Sequence, residues 1–383
     1  MNQRFYSLDV FRGATVCLMI LVNNPGSWTH NFPPLKHAAW HGLTPTDLVF
    51  PFFLFAVGNA FSFVMPRLQA GGDAAFWKKV VKRSLLIFAI GLFLTWWPFF
   101  KYSADGLVFK PWSYIDSKGN EQGVRILGVL ARIALCYFFA AVMIYYLKPR
   151  LAFFAGLVLL LLYWVLCATL GDPADPYSMM GWFGNQVDRA VLGVAHMYKG
   201  EGVPFDPEGI MSTIPAIVNV IFGYLVGDYI QKKGKNYEML TGLFVAGVAM
   251  ILCGFMWDTV FPINKKIWTS SYTIYTCGLA TMTIATMIYL IEFRNVKGFL
   301  SRFFDVFGKN ALFVFALSAF LPKTFALIRM GDGVNPWNWL YERVLVHIPG
   351  DPRVGSLLYA LAVITLMWLI CYWLDRKKIY IKV

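Results

Sequence analysis

Residues 151–170 read LAFFAGLVLLLLYWVLCATL, twenty positions without a charged side chain. At about 1.5 Å per residue a helix of this length matches the ~30 Å hydrocarbon core of a bilayer. Lipid offers backbone groups no partners, so such a run is read as a spanning helix. Further segments with the same signature flank it on both sides. Together they predict spans at 7–23, 47–66, 83–100, 124–147, 151–170, 208–230, 239–257, 267–291, 306–322 and 354–374. Trp96, Trp97, Tyr145, Tyr146, Trp257 and Trp268 gather near span ends, as an interfacial belt does. Of the 383 residues 58% are hydrophobic and 14% charged, whereas a soluble domain carries about 25% charge. That excludes a soluble single domain, and 17% aromatic residues excludes disorder. The expected fold class is therefore all-α: one polytopic membrane domain over 1–383 with about ten transmembrane helices. Pro51 and Pro215 fall inside predicted spans, where they are expected to free backbone carbonyls that a cavity or neighbouring helix must satisfy.

Charge predicts the orientation. With the N-terminus in the cytoplasm, the inner segments hold 20 Lys and Arg and 7 acids, the outer ones 13 and 14. Both termini are expected to be cytoplasmic. The net charge of +13 is then explained by topology, and no nucleic-acid partner is expected. All six cysteines lie in apolar runs, so no disulfide framework is expected. The first span follows charged residues and lacks a small-residue cleavage site, which predicts a retained helix rather than a removed signal.

This orientation puts the loops 24–46, 101–123, 171–207 and 323–353 outside, with all five histidines: His30, His37, His41, His196 and His347. Histidine is the side chain best suited to proton transfer near neutral pH. The densest cluster is Lys36-His37-Ala38-Ala39-Trp40-His41-Gly42-Leu43-Thr44-Pro45-Thr46-Asp47. On a helix His37 and His41 would share a face. Asp47, at or below the membrane surface, needs a partner, and a carboxylate that orients an imidazole is a familiar one. Three readings stay open here. The histidines hold backbone at the interface, or they perform acid–base or nucleophilic chemistry, or His37, His41 and His30 bind zinc. The zinc reading is weakest because no Glu sits between the i,i+4 pair, so no metal is expected.

Arg132 lies inside the fourth predicted span, about 10 Å below Arg125 if both are helical. It pairs in the bundle interior or binds an anion there. Asp9 and Arg12 are spaced to pair on one helix face, and Lys78, Lys79, Lys82 and Arg83 open the third span as topology signals or as a phosphate-binding mouth. Asp206-Pro207-Glu208-Gly209 reads as a helix start, with Asp188, Arg189 and His196 upstream.

Through these residues the chain resembles a bacterial member of the heparan-α-glucosaminide N-acetyltransferase family. The likeness runs in order through Ser7 to Gly13, His37 to Pro51, Arg83 to Leu86, Arg125 to Arg132, Asp188-Arg189, Leu192-Gly193, His196, Asp206 to Gly209, Asn264-Lys265, Trp268, Ser271-Tyr272 and Gly308 to Asn310. The resemblance implies transfer of an acetyl group from cytosolic acetyl-CoA to an amino sugar across a bacterial inner membrane, by a homodimer. It implies that His37 is catalytic and that Asn23 or Asn24 lines the same site. His41 stands where the lysosomal motif has Asn.

On this reading the charged nucleotide stays near the cytoplasmic face, held by Arg12, Lys82 and Arg83, since burying its phosphates in hydrocarbon is prohibitive. Arg132 and Asn310 steady the ligand part-way, and Arg125 with the asparagine stabilises the oxyanion. Asp47 orients His37. His41, Asp188, Arg189, His196, Glu208, Ser271 and Tyr272 are the candidates for holding the sugar. Two rivals remain: a sugar or sugar-acid transporter, and an O-acyltransferase of a cell-surface glycan.

Overall fold

The apolar runs fold as helices because only an internally bonded backbone suits lipid. The computed structural model describes residues 5–103, 106–116, 119–331 and 333–381. Its helices are α1 (Tyr6–Asn23), α2 (Val49–Ala70), α3 (Gly72–Trp96), α4 (Val129–Tyr146), α5 (Pro149–Leu170), α6 (Phe183–Leu192), α7 (Thr213–Lys233), α8 (Tyr237–Asp258), α9 (Ser270–Ile288), α10 (Phe299–Lys309), α11 (Ala311–Phe325), α12 (Trp339–Arg343) and α13 (Pro352–Arg376). Between α3 and α4 the chain makes two small antiparallel hairpins. β1 (Phe100–Ser103) pairs with β2 (Gly106–Phe109), and β3 (Ser113–Ile115) with β4 (Glu121–Gly123).

Among the described residues eight helices are long and apolar enough to cross a membrane, or nine if α10 and α11, bent by 80° at Asn310, count as one span. The difference from ten lies at 83–100. There the charges Lys78, Lys79, Lys82 and Arg83 occupy the first half of α3 and leave only 84–96 apolar. Even so, α3 runs antiparallel to α4 along its length. Phe76 near its start stacks on Tyr145 near the end of α4 at 3.8 Å. At its far end Gly91 abuts Leu130.

Other expectations change as well. α4 begins only at Val129, so residues 124–128 are not helical and Arg125 does not sit on a helix above Arg132. Pro51 and Pro215 lie in the first turns of α2 and α7, where the missing N–H has no intrahelical partner anyway. Pro66 and Pro322 are the prolines inside helices. His37 and His41 occupy irregular chain, so no helix face joins them.

α7 and α2 form the centre and are mostly buried, whereas α5 and α8 present Leu and Phe side chains outward. Close crossings use paired glycines, the usual device where lipid gives no hydrophobic drive to helix association. A Cβ on Gly58 of α2 would come within 2.0 Å of the Val220 carbonyl oxygen, and one on Gly223 of α7 within 2.1 Å of that of Phe55. The first and last described stretches come together at one end of the bundle, where Phe5, Tyr6 and Tyr380 border a common cavity.

Candidate active site at the histidine end of the bundle

Asp47 sits in a 3-10 turn, Pro45–Leu48, that leads into α2, and its side chain is 1% exposed. Its Oδ1 accepts from His37 Nδ1 at 2.6 Å. Its Oδ2 accepts from the backbone N–H groups of Ala38 and Thr44 and from Thr44 Oγ1, each at 3.0 Å. Tyr272 of α9 donates its hydroxyl to the Asp47 carbonyl at 2.6 Å, which ties the turn to the bundle centre. An ionised carboxylate only accepts, so His37 carries a proton on Nδ1, and in the neutral ring Nε2 is the nitrogen with the free lone pair. That ring is 42% exposed and open to a reactant.

Lys265 faces it. Its Nζ lies 3.5 Å from His37 Nε2. Burial pulls this ammonium below the usual lysine range, although Glu208 and Asp47 work the other way. Lys266 next to it is committed elsewhere: to Glu201 at 2.5 Å, to the Ala39 carbonyl at 2.9 Å, and over the Trp40 ring. Asn264 sets this loop by accepting from the backbone N–H groups of Lys266 and Ile267 and by donating Nδ2 to His41 Nδ1 at 3.3 Å. Burial lowers the pKa of His41 and favours its neutral ring.

Behind this group lies an ion cluster. Arg125 forks onto Asp206, with Nε to Oδ2 at 3.0 Å and Nη2 to Oδ1 at 2.6 Å, and also donates to Glu208. Burial opposes its charge, but the two acids hold its pKa above the usual value. Burial also penalises Glu208, yet Arg125 and Lys265 keep it below the usual carboxylate range, while for Asp206 burial wins and the pKa rises. Asp188 on α6 accepts from Ile210 N–H at 2.8 Å through Oδ1, and its Oδ2 has no partner among the described residues. Burial raises its pKa to about 7. Arg132 is fully buried against Gly209 and Ser212 with its guanidinium 5.0 Å from the Trp268 ring, and its Nε and Nη1 have no partner among the described residues.

The remaining predicted residues fall as follows. His196 holds the Val124 carbonyl through Nδ1 at 2.7 Å and lies on Trp112. Arg189 donates to the Pro204 carbonyl, and Ser271 to that of Phe261. Asn23 is exposed, and Asn24 is buried with its amide turned back to Ile20. At the other end a cavity of about 1020 Å³ is bordered by Asp9, Arg12, Asn59, Arg67, Asp305 and Lys309. Of the three cations expected around a nucleotide, Arg12 borders it. Lys82 and Arg83 lie on α3, the latter over the Tyr137 ring. Asn310 fastens the C-terminal tail, bonding Ile379 and Ile381.

The sequence model described as "Heparan-alpha-glucosaminide N-acetyltransferase, catalytic" matches residues 4–241, well over half the chain. The chain belongs to this family. It is 26% identical to the human heparan-alpha-glucosaminide N-acetyltransferase and 25% identical to the mouse protein, each over 99% of its own length. It spans only 60% of either relative. The family match includes the His37–Asp47 segment and the Arg125, Asp188, Asp206 and Glu208 cluster but stops short of the Lys265 loop. Sequence reasoning placed Lys265 within the family likeness but gave it no role in the site, and it did not single out Lys266 or Glu201. The available signal was two adjacent lysines, Lys265-Lys266, in a loop on the acid-rich side of the charge map, against the trend that set the orientation.

Proposed function

We propose that this protein is a multi-pass acetyltransferase of a bacterial inner membrane. It moves an acetyl group from cytosolic acetyl-CoA to the amine of a glucosamine-type sugar on the opposite face, with a homodimer as the expected assembly. The observation that carries the reading is the His37–Asp47 pair: a buried carboxylate fixes Nδ1 and leaves Nε2 half-open beside a cation.

The anionic nucleotide suits the cavity at the chain-end side, where Arg12, Arg67 and Lys309 offer positive charge. The cavity reaches up α2 to Ala56, nine residues from Asp47, or roughly 14 Å at helical rise. The slender pantetheine arm can cover such a gap where phosphates cannot follow. As general base, Nε2 takes the amine proton during attack on the thioester and returns it to the departing thiolate. As nucleophile, it carries the acetyl group as an acyl-imidazole before the amine takes it.

The test is CoA release from acetyl-CoA by purified protein in detergent, with and without glucosamine, for wild type and His37→Ala. Glucosamine-stimulated release that falls about 100- to 10,000-fold in the variant is expected. A wild type that neither binds acetyl-CoA nor releases CoA would overturn the proposal. Exchange of labelled CoA into acetyl-CoA without acceptor would identify the nucleophilic route.

A further inference from the structure

We infer that Lys265 is a catalytic residue of the proposed transfer: its ammonium binds the oxyanion that forms on the acetyl carbonyl beside His37. The inference rests on the acetyltransferase reading above and adds a residue to it.

The first support is aim. A carbonyl carbon poised for reaction at His37 lies about 3–3.5 Å from the attacking atom. An oxyanion donor has to stand about 2.7–3.1 Å from the oxygen. Lys265 Nζ lies 3.5 Å from Nε2, within reach of an oxygen on a carbonyl held at that nitrogen.

The second is availability. Lys265 makes no ion pair among the described residues, whereas Lys266 is spent on Glu201, Ala39 and Trp40. Lys265 favours the charge of Glu208 from a distance, but its acidic neighbours have direct partners of their own. Asp47 already accepts four hydrogen bonds, and Glu208 is paired with Arg125. A cation with no ion pair among the described residues, held against the half-exposed ring of a histidine, is placed to meet a reactant.

The third is rigidity. Trp268, three residues on, has a φ of +53°, a conformation that a bulky residue holds only when its surroundings impose it. Its indole donates to Asn219 Oδ1 at 2.9 Å and packs edge-on against Phe50, while Asn264 and Thr269 bond each other across the turn. A donor on such a loop is set before the reaction and loses little to reorganisation.

The step balances. The amine nitrogen attacks the carbonyl carbon, and the π pair moves onto oxygen, where Lys265 donates a hydrogen bond without giving up its proton. His37 takes one amine proton. The C=O bond then re-forms, the C–S bond breaks with its pair on sulfur, and His37 returns the proton to the thiolate.

The variants are Lys265→Met and Lys265→Arg, measured with wild type and His37→Ala. Lys265→Met is expected to lower kcat about 100- to 1000-fold with acetyl-CoA affinity and melting temperature unchanged. Wild-type activity should fall on the alkaline side below the ordinary lysine range, because burial, Arg132 and Lys266 disfavour the ammonium more than Glu208 and Asp47 favour it. His37 is the other group against it. Lys265→Arg should keep part of the rate and move that alkaline limb to higher pH. Unchanged kcat in Lys265→Met, or a loss confined to KM, overturns the inference. If Lys265→Met does not fold, the Lys265→Arg profile decides: an unmoved limb overturns it. An inactive wild type instead defeats the acetyltransferase reading itself.

Discussion

The two ends of this bundle handle charge in opposite ways. At the histidine end, Arg125, Asp206, Glu208, Asp47 and Lys265 crowd together, most of them buried and each facing an opposite charge or a hydrogen-bond donor. At the chain-end side, Arg12, Arg67 and Lys309 border an open cavity, and Arg12 and Lys309 pair with acids while staying 32% and 27% exposed. A preorganised polar cluster suits the step in which charge develops. Solvated cations around a wide cavity suit a ligand that arrives carrying its charge. The contrast predicts that substitutions at the histidine end damage rate and stability, while those at the cavity weaken binding.

The sharpest test of the first half is Asp47→Asn. An amide cannot fix the imidazole in the same tautomer, and comparable changes cost up to about 10⁴-fold in kcat. Turnover is expected to collapse by about that factor while acetyl-CoA still binds, as measured by calorimetry. Loss of binding instead would erase the contrast between the ends.

Arg125→Met should come next. It leaves Asp206 and Glu208 buried against each other, and removing one partner of a buried ion cluster costs about 3–5 kcal/mol. The expected result is a much lower melting temperature in detergent, with Arg125→Lys recovering part of it.

Asp188 gives a pH signature of the same end. Burial lifts its pKa to about 7 in the folded protein, against about 3.9 for a free carboxyl. Between those values the folded state holds a proton that the unfolded state has released, so stability falls as pH rises from about 4 to about 7 and is flat beyond. At about 1.4 kcal/mol per pKa unit the effect amounts to a few kcal/mol. Asp188→Asn should flatten the fall in melting temperature over that window, and an unchanged slope would assign it to another group.

How much of this was legible depends on sequence distance. The spans follow local hydropathy, and Leu151–Leu170 falls almost wholly where α5 does, Pro149–Leu170. The tenth span was read from a run of apolar residues, but charge in the first half of α3 takes that helix below the mark for a lipid-crossing segment. Asp47 and His37 lie ten positions apart, so their contact was within reach of sequence reasoning. Lys265 comes from 228 positions away and meets His37 only because α9 and α2 pack side by side in the fold. The shared face of His37 and His41 was conditional on a helix, and Pro33, Pro34 and Gly42 keep that stretch irregular.

The smallest expected effect tests the cavity end. Arg12 bonds Asp9 at 2.9 Å and the Gly308 carbonyl at 2.9 Å, and its partial exposure makes the ion pair worth under about 1 kcal/mol to stability. A hydrogen bond to a charged ligand group is worth about 1.5–3 kcal/mol. Arg12→Gln should therefore barely move the melting temperature but raise the acetyl-CoA KM roughly 10- to 100-fold, with kcat kept. Because exposed charges are screened, the wild-type advantage should shrink as salt is added. A loss of kcat without a change in KM would put Arg12 with the residues of the histidine end, and the division of labour between the two ends would fail.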